Sequence, residues 1–384
     1  MLKKRQKMNN NKMYFRPDGT FHILQVSDTQ DLSTARKAML IMLDNAYDKL
    51  KPDLVLFTGD NTLGNHLLDV LGFLKLRKKE NYPLTLSRMK KALANILIPV
   101  EKRNIPFAMI FGNHDDMNCI SKQVQFNIYK EYSCCLPMNE NDTDVDCDTY
   151  NIPVCSSDGK TKWNVYMLDS AWNDESGQHC EIKEETVKWY RRTSDSLKNE
   201  NGSAVPSLMF LHVPLEQTKA LYKPCAEDSH DAVADKDGYF CLDTSKASGQ
   251  MRESISAAAD PYGLYEALKE KGNVKAVVSG HDHVNCFDGE ADGMRFIQSG
   301  AASFRCYGDK IRGVREFILH ENDDTFETKY YTYDDICGKG IRQQIRYFWD
   351  ADDKIPQKYS AIAGVTAAAG ALAFILHKKR KKRK

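Results

Sequence analysis

The sequence predicts a mixed α/β fold. Residues 21–27, 54–58 and 106–111 are short apolar runs with β-branched and aromatic side chains, the composition of buried strands. Amphipathic stretches that end near residues 50 and 103 separate these runs. Such an alternation of strand and helix is typical of a sheet with crossover helices. Hydrophobic residues make up 42% of the chain, which is enough for a core and excludes intrinsic disorder.

The predicted elements follow one another without an interrupting linker. After the first strand, Ser33 or Thr34 is expected to cap a helix whose apolar face runs from Ala38 to Leu50, and Gly59 ends the second strand. A second helix is predicted over residues 86–103, before the third strand. Later strands are predicted at residues 163–168, 207–211, 274–279, 294–298 and 316–319. The polar stretches 134–160 and 223–260 are predicted to be rim loops of a single domain over residues 18–345.

Basic residues are concentrated at the two ends of the chain. Of the 54 Lys and Arg residues, 13 lie in a basic N-terminal arm (1–17) or a polybasic tail (378–384), so the body between them is acidic despite a net charge of +1. Sequence-independent nucleic-acid binding requires a basic face. No nucleic-acid partner is therefore expected.

The C-terminal region is predicted to comprise a linker (346–358), a hydrophobic segment (359–377) and the polybasic tail. Residues 361–376 are uncharged, but this stretch is shorter than an ordinary membrane span and is rich in Ala, which inserts only weakly. The segment is interpreted as a membrane anchor, or alternatively as a helix that lies on a membrane or on the body. Because the basic N-terminus lacks an export signal, the body is expected in the cytoplasm, membrane-associated or else soluble, with reduced cysteines.

Five segments place polar side chains directly after predicted strands. They are SDTQ (27–30), GDN (59–61), GNHD (112–115), LHVP (211–214) and GHDH (280–283). Because the carboxyl ends of strands meet at one edge of an α/β sheet, these segments are expected to converge on one cleft. Carboxylates, an amide and imidazoles without thiolates suit Mn, Fe or Zn ions. Asp28 or Asp60 alone is often a turn residue and His212 alone a core residue, but the five segments together predict a metal site.

The same ordered set resembles the motifs of the calcineurin-like metallophosphoesterases, and within them the purple-acid-phosphatase-like proteins of plants and fungi. The likeness covers residues 20–345 and includes YMLDS (166–170) and the stretch 262–280. It implies a four-layer α/β/β/α sandwich of two mixed sheets, with a dinuclear metal centre at their edge.

The resemblance also implies a role for each polar residue of the motifs. The implied ligands of two divalent or trivalent ions (Mn, Fe or Zn) are Asp28, Gln30, Asp60, Asn113, His212, His281 and His283. Asp60 would bridge the ions; Asp28 and His283 would complete one ion's ligands, with Gln30 beside them. Asn113, His212 and His281 would hold the second ion. His114, oriented by Asp115, would be the catalytic proton donor or charge stabiliser while metal-bound hydroxide attacks a phosphate monoester or diester.

Gln30 departs from the family pattern, which has a histidine there or, in purple acid phosphatases, a tyrosine after the second motif. Gln30 could bind an ion weakly or hold a ligating water, or Asp31 could replace it after a local shift. The sequence thus predicts a metallophosphoesterase, with a weakly active or inactive membrane-associated scaffold as the alternative. A phosphorylated small molecule, lipid or protein is the expected substrate. Arg252 is the candidate to bind its phosphate, or else belongs to a solvated loop.

Overall fold

The structure, a computed structural model, describes residues 12–68, 81–138, 144–174, 177–360, 362–363 and 366. Its strands in chain order are β1 (Met13–Tyr14), β2 (Thr20–Val26), β3 (Leu54–Thr58), β4 (Phe107–Ile110), β5 (Tyr150–Cys155), β6 (Thr161–Met167), β7 (Trp172–Asp174), β8 (Gly177–His179), β9 (Ser207–Phe210), β10 (Tyr222–Pro224), β11 (Val233–Asp235), β12 (Gly238–Leu242), β13 (Ala247–Gln250), β14 (Val274–Ser279), β15 (Cys286–Ala291), β16 (Met294–Gln298), β17 (Gly313–His320) and β18 (Phe326–Thr332). The helices are α1 (Lys37–Leu50), α2 (Tyr82–Arg103), α3 (Lys122–Tyr129), α4 (Glu184–Asn201), α5 (Leu264–Lys271), α6 (Tyr333–Cys337) and α7 (Ile341–Asp350).

Two mixed sheets form the centre of the fold. The five-stranded sheet has the order β18-β17-β2-β3-β4, in which β2, β3 and β4 are parallel and β17 is antiparallel to both of its neighbours. The eight-stranded sheet has the order β1-β5-β6-β9-β14-β16-β15-β13, and its middle strands β6, β9, β14 and β16 are parallel. Parallel strands carry their carboxyl ends to one edge, which sets the position of the polar motifs.

Alternating side chains place the sheets in a four-layer arrangement. Val165 belongs to a core that both sheets share, whereas its neighbour Tyr166 belongs to a second core formed with α4 and α5. Phe210 and Phe317 join the two sheets edge to face, with ring centroids 5.4 Å apart. All five residues of β3 are buried, and α1 and α2 contribute buried side chains to the shared core. The predicted α/β/β/α sandwich is confirmed.

Several local predictions need correction. The stretches 134–160 and 223–260 are not simple loops, because β5 pairs with β6 and β13 pairs with β15, while β10, β12 and β11 form a separate small sheet. Neither Ser33 nor Thr34 caps α1. The Asp31 carboxylate accepts the Arg36 backbone N–H instead, and Asp350 accepts that of Ala38.

The folded body extends beyond both predicted boundaries. At the N-terminal side β1 pairs with β5 and Phe15 packs against the core, so residues 12–17 are not a free arm; residues 1–11 lie outside the described residues. At the other side α7 crosses residue 345, and Tyr347 and Ala351 are buried. Arg312 donates to Asp353. The first part of the predicted linker therefore belongs to the domain.

The C-terminal membrane prediction falls mostly outside the described residues. These leave out the polybasic tail and most of the hydrophobic segment 359–377. Among the helices that the structure does describe, none combines the length and the apolar character required to cross a bilayer.

A disulfide joins Cys225 to Cys241, with their Cα atoms 5.9 Å apart. It lies across the small sheet, where β10 and β12 are antiparallel neighbours and the Cys225 backbone N–H donates to the carbonyl oxygen of Tyr239. The expectation that the cysteines are all reduced is wrong for this pair, because the pairing of β10 with β12 depends on contacts that the cysteine spacing does not reveal.

Candidate metal centre

The five polar motifs meet at one edge of the two sheets. β2, β3 and β4 end just before Asp28, Asp60 and Asn113, and β9 and β14 end just before His212 and His281. A cavity of about 460 Å³ opens at this edge. It is lined by Gln30, Asp60, Leu63, Asn65, His66, His114, Glu253, Ser256, His281, Asp282, His283, Cys306 and Tyr307.

One group of potential ligands consists of Asp28, Asp60 and His283, whose ligand atoms lie within 4.8 Å of one another. His283 Nε2 lies 3.5 Å from Asp28 Oδ1. His283 Nδ1 lies 3.0 Å from the carbonyl oxygen of Tyr307. Because a carbonyl only accepts, Nδ1 carries the proton in this contact. The lone pair of Nε2 is therefore directed to the cluster, the arrangement that histidine ligands require.

A second group consists of Asp60, His212 and His281. His212 Nδ1 donates to the carbonyl oxygen of Thr58 at 3.0 Å, which again leaves Nε2 for a cation. That nitrogen lies 3.4 Å from Asp60 Oδ1, 3.2 Å from Asn113 Oδ1 and 3.3 Å from His281 Nδ1. Asp60 thus belongs to both groups, the position predicted for a bridging ligand.

The residues present fit two cations. Asp28 Oδ1 is buried and accepts no hydrogen bond from a described residue. Such an oxygen carries a large desolvation cost unless a positive group compensates it. The facing nitrogens of His212 and His281, 3.3 Å apart, also require a proton or a cation between them. Carboxylate, amide and imidazole donors together suit borderline metals such as Mn, Fe or Zn.

The electrostatics of the cluster favour positive charge. Burial raises the pKa of Asp28 and of Asp60, but the nearby histidines outweigh it and hold both below the ordinary value. Burial lowers the pKa of His212, yet Asp60 and Asp28 raise it to about 10. Burial, followed by the charge of His212, lowers the pKa of His281 to about 4. The carboxylates therefore hold a proton on His212 where a metal would supply the charge.

The backbone of the cluster is unusual. Asp28, Gln30, Asp60 and His281 have φ angles of 53°, 27°, 50° and 72°. Positive φ is uncommon for residues other than glycine, and such conformations cluster at functional sites. Strain at four positions of the predicted site indicates that the surrounding structure holds these side chains in fixed directions.

Two glycines are required by the close packing of the motifs. A Cβ on Gly112 would lie 2.2 Å from Asp60 Oδ1, and one on Gly280 would lie 1.9 Å from Ser27 Oγ. No side chain fits at these distances. The glycines therefore allow the loops to approach the carboxylates.

Comparison with known proteins agrees with this geometry. The family described as calcineurin-like phosphoesterase matches residues 21–285, more than half of the chain. The chain belongs to the calcineurin-like phosphoesterases. It is 27% identical over 334 residues to the probable inactive purple acid phosphatase 29 of Arabidopsis thaliana, covering 77% of this chain and 75% of that protein. It is 25% identical to the probable inactive purple acid phosphatase 28 of the same plant, covering 82% and 79%.

A solved dimetal phosphatase from Danio rerio is similar to this calcineurin-like phosphoesterase with a TM-score of 0.44 and 12% sequence identity, covering 82% of this chain and 99% of that one. The family prediction is confirmed, and the names of the plant relatives agree with the predicted branch. The assignment of individual metal ligands stays a prediction.

Gln30 is the residue predicted to depart from the motif pattern of the calcineurin-like phosphoesterases. Its buried side-chain amide donates to the Asp60 carboxylate and lines the cavity. Asp31 does not take its place. The Asp31 carboxylate pairs with the buried Arg305 and accepts backbone N–H groups of Leu32 and Arg36. Its interactions are those of a helix-start residue, so the alternative ligand proposed from the sequence is wrong.

His114 lines the cavity, and its buried Nδ1 has no hydrogen-bond partner among the described residues. Asp115 does not orient it, contrary to the prediction. The buried Asp115 carboxylate instead accepts the backbone N–H groups of Asn61, Thr62 and Gly112. Its role is to hold the second and third motifs together, because two loops meet around it.

Arg252 is not among the residues that line the cavity. Its guanidinium donates to Asp309 at 2.7 Å, so the geometry does not support the predicted phosphate contact. The chain instead contributes Glu253 and Tyr307 to the wall. The Tyr307 ring stacks on His283, with centroids 4.3 Å apart and planes 15° apart, and its hydroxyl donates to Glu253 at 2.7 Å. No spacing in the sequence marks these two residues.

A second buried acidic cluster supports the third motif from behind. Asp148 accepts the backbone N–H of Phe111 at 2.9 Å. Burial, with the negative charge of Asp169, raises the pKa of Asp148 to about 8. Lys122 donates to Asp169 at 2.6 Å. The hydrogen bond from Phe111 to Asp148 therefore fixes the backbone between the end of β4 and Asn113.

Proposed function

We propose that this calcineurin-like phosphoesterase is an active metal-dependent hydrolase of a phosphate monoester or diester. The observation that carries the proposal is the position of Asp60, which two ligand groups share directly beside a cavity that also exposes the ring of His114. Two bound ions would supply charge to activate a water molecule and to offset the charge of the phosphate group.

The protein's own residues perform the remaining tasks. Asp28, Asp60 and their histidines form a rigid, buried set of donors, since Thr58 and Tyr307 carbonyls fix the two ring orientations. His114 lines the cavity, and its ring can donate a hydrogen bond to the phosphate or to the leaving oxygen, which would stabilise the charge that develops there. A cavity of about 460 Å³ accepts a small phosphate ester or the phosphorylated group of a lipid or protein.

An inactive protein that retains the fold is the second candidate. Two observations favour it: the relatives are named probable inactive purple acid phosphatases, and Gln30, which is predicted to lie beside the ligands of one ion, has a neutral amide that donates to Asp60. The six other implied ligands, Asp28, Asp60, Asn113, His212, His281 and His283, all have side chains that can bind a metal ion. Loss of one neutral ligand changes metal preference more readily than it removes the centre.

Hydrolysis of p-nitrophenyl phosphate with Mn²⁺ tests the proposal. We expect turnover by the wild type and a loss of about 10²–10⁴-fold for His114→Ala, the range for removal of a positioned acid or base. His320→Ala is the matched control, since this histidine lies at the opposite end of β17 from the motifs and should retain full activity. Equal background rates for wild type and His114→Ala, with fewer than two ions bound per chain, would establish the inactive alternative.

A further inference from the structure

Helix α7 carries an exposed apolar stripe. Ile341, Ile345 and Trp349 follow one another at four-residue spacing, which places them on one face of the helix. They are 82%, 54% and 44% exposed. Tyr347, on the opposite face, is buried against the domain and donates a hydrogen bond to the Asp309 carbonyl oxygen. The buried side of α7 therefore packs on the domain, and the apolar stripe faces outward.

Positive charge flanks the stripe. Arg342 and Arg346 lie beside it on the helix, and neither forms a salt bridge with a described residue. The acidic residues that follow face inward: Asp350 accepts the backbone N–H of Ala38, Asp352 accepts from Arg36 and Asp353 accepts from Arg312. The outer face of α7 thus combines apolar side chains with two arginines that form no salt bridge with a described residue.

Exposed apolar side chains also follow α7 along the chain. Tyr359 and Ile362 are 63% and 50% exposed. Beyond residue 366, the last that the structure describes, 18 residues remain, which are uncharged as far as Leu376 and end in KKRKKRK. The sequence after the described residues is therefore apolar as far as Leu376 and then carries seven positive charges.

We propose that α7 is a docking surface for an anionic lipid bilayer and lies in the plane of the interface, with Arg342 and Arg346 at the level of the anionic headgroups. A helix with an apolar face bordered by arginines inserts to the level of the headgroups, and basic clusters strengthen binding to anionic lipids. Exposed apolar surface of this kind marks an interaction site. This docking is independent of catalysis and does not require a membrane-spanning helix.

Sedimentation of the full chain with vesicles tests the proposal. Wild type should bind phosphatidylcholine vesicles that contain phosphatidylserine and bind pure phosphatidylcholine much more weakly. The triple variant Ile341→Ser/Ile345→Ser/Trp349→Ser should lose at least about tenfold in partition coefficient, because three interfacial side chains are removed. The matched control Tyr82→Ser/Leu84→Ser/Tyr262→Ser removes three similarly exposed side chains from other elements and should bind as wild type.

Two further measurements distinguish insertion of the stripe into lipid from loss of folding and from burial of the stripe in a dimer. Brominated lipids should quench the fluorescence of wild type on vesicles but quench that of Trp349→Phe much less, since Trp163 and Trp189 are buried and Trp172 is half-buried and stacked on His179. Urea unfolding should show equal stability of both triple variants. Undiminished vesicle binding by the stripe variant overturns the proposal, even if replacing the seven tail residues by Gln abolishes binding. A stripe variant that binds vesicles normally but changes a dimer into a monomer assigns the stripe to a second copy and likewise overturns it.

Discussion

Removal of the Asp115 carboxylate should destabilise the domain strongly. The side chain is buried and accepts three backbone hydrogen bonds, from Asn61 and Gly112 at 3.0 Å each and from Thr62 at 2.9 Å. The donors belong to two loops that follow neighbouring strands, β3 and β4. One carboxylate therefore fixes the second motif against the third.

The number of bonds sets the expected magnitude. A buried donor left without an acceptor costs about 1–3 kcal/mol. Asp115→Ala leaves three backbone N–H groups without an acceptor and should lower the free energy of unfolding by roughly 3–6 kcal/mol, because water that enters the site offsets part of the loss. Asp115→Asn retains one oxygen and should cost about 1–3 kcal/mol. Asp116 is a matched control: it is the next residue and accepts one backbone N–H, from Asn173 at 3.1 Å, so Asp116→Ala should cost about 1 kcal/mol.

Urea unfolding with a metal chelator at pH 8 measures these differences without a contribution from bound metal. At this pH the wild-type carboxylate is ionised, because burial, with Asp60 nearby, raises the pKa of Asp115 only to about 6. Equal unfolding free energies for Asp115→Ala and Asp116→Ala would refute the reasoning. If Asp115→Asn instead kept full stability and lost as much activity as His114→Ala, Asp115 would act on the histidine ring after all.

Four other changes test the remaining assignments. Gln30→His should tighten Mn²⁺ binding in calorimetry by about 10–100-fold because it adds an imidazole, whereas Gln30→Ala should not. Gly280→Ala should destabilise the protein by about 3 kcal/mol in urea, because its Cβ would overlap Ser27 Oγ. Because the pKa of Asp148 is raised in the folded protein, protonated Asp148 stabilises the fold fully below pH 4, and this stabilisation is lost as the pH rises through about 8. Asp148→Asn does not titrate, so its unfolding free energy should increase relative to that of wild type between pH 5 and 9. Arg252→Ala should leave kcat/KM within about twofold of wild type, since its exposed ion pair lies outside the cavity.

The sequence predicts those site residues that are positioned by local features, namely the end of a buried strand or a glycine in tight packing. Asp28, Asp60 and His281 each follow a buried apolar strand, and a strand end carries its next side chains to the edge of the sheet. Gly112 and Gly280 stand where any Cβ would meet another motif. Apolar runs, strand ends and glycines are all visible in the sequence, so the fold class and the meeting point of the motifs follow from them.

The wall of the cavity depends on contacts between distant segments and has no such signal. Tyr307 reaches His283 and Glu253 only because β13, β15 and the loop after β16 come together in the eight-stranded sheet. The predicted role of Asp115 is wrong for the same reason, because the N–H groups of Asn61 and Thr62 are more than 50 residues away in the chain. Residue type alone does not reveal which partner a buried carboxylate accepts from.

The candidate metal centre carries conformational and electrostatic costs that bound cations would offset. Four left-handed residues cost of order 1–3 kcal/mol each, and the negative charges of Asp28 and Asp60 oppose each other in a buried site. A proton on His212 compensates one charge but leaves Asp28 Oδ1 without a hydrogen-bond donor among the described residues. Cations bound only by the folded chain would add about 2.7 kcal/mol of stability at 100 times their dissociation constant. Because a neutral or hydrophobic cluster would fold at lower cost, cation binding accounts most simply for the retained strain and charge.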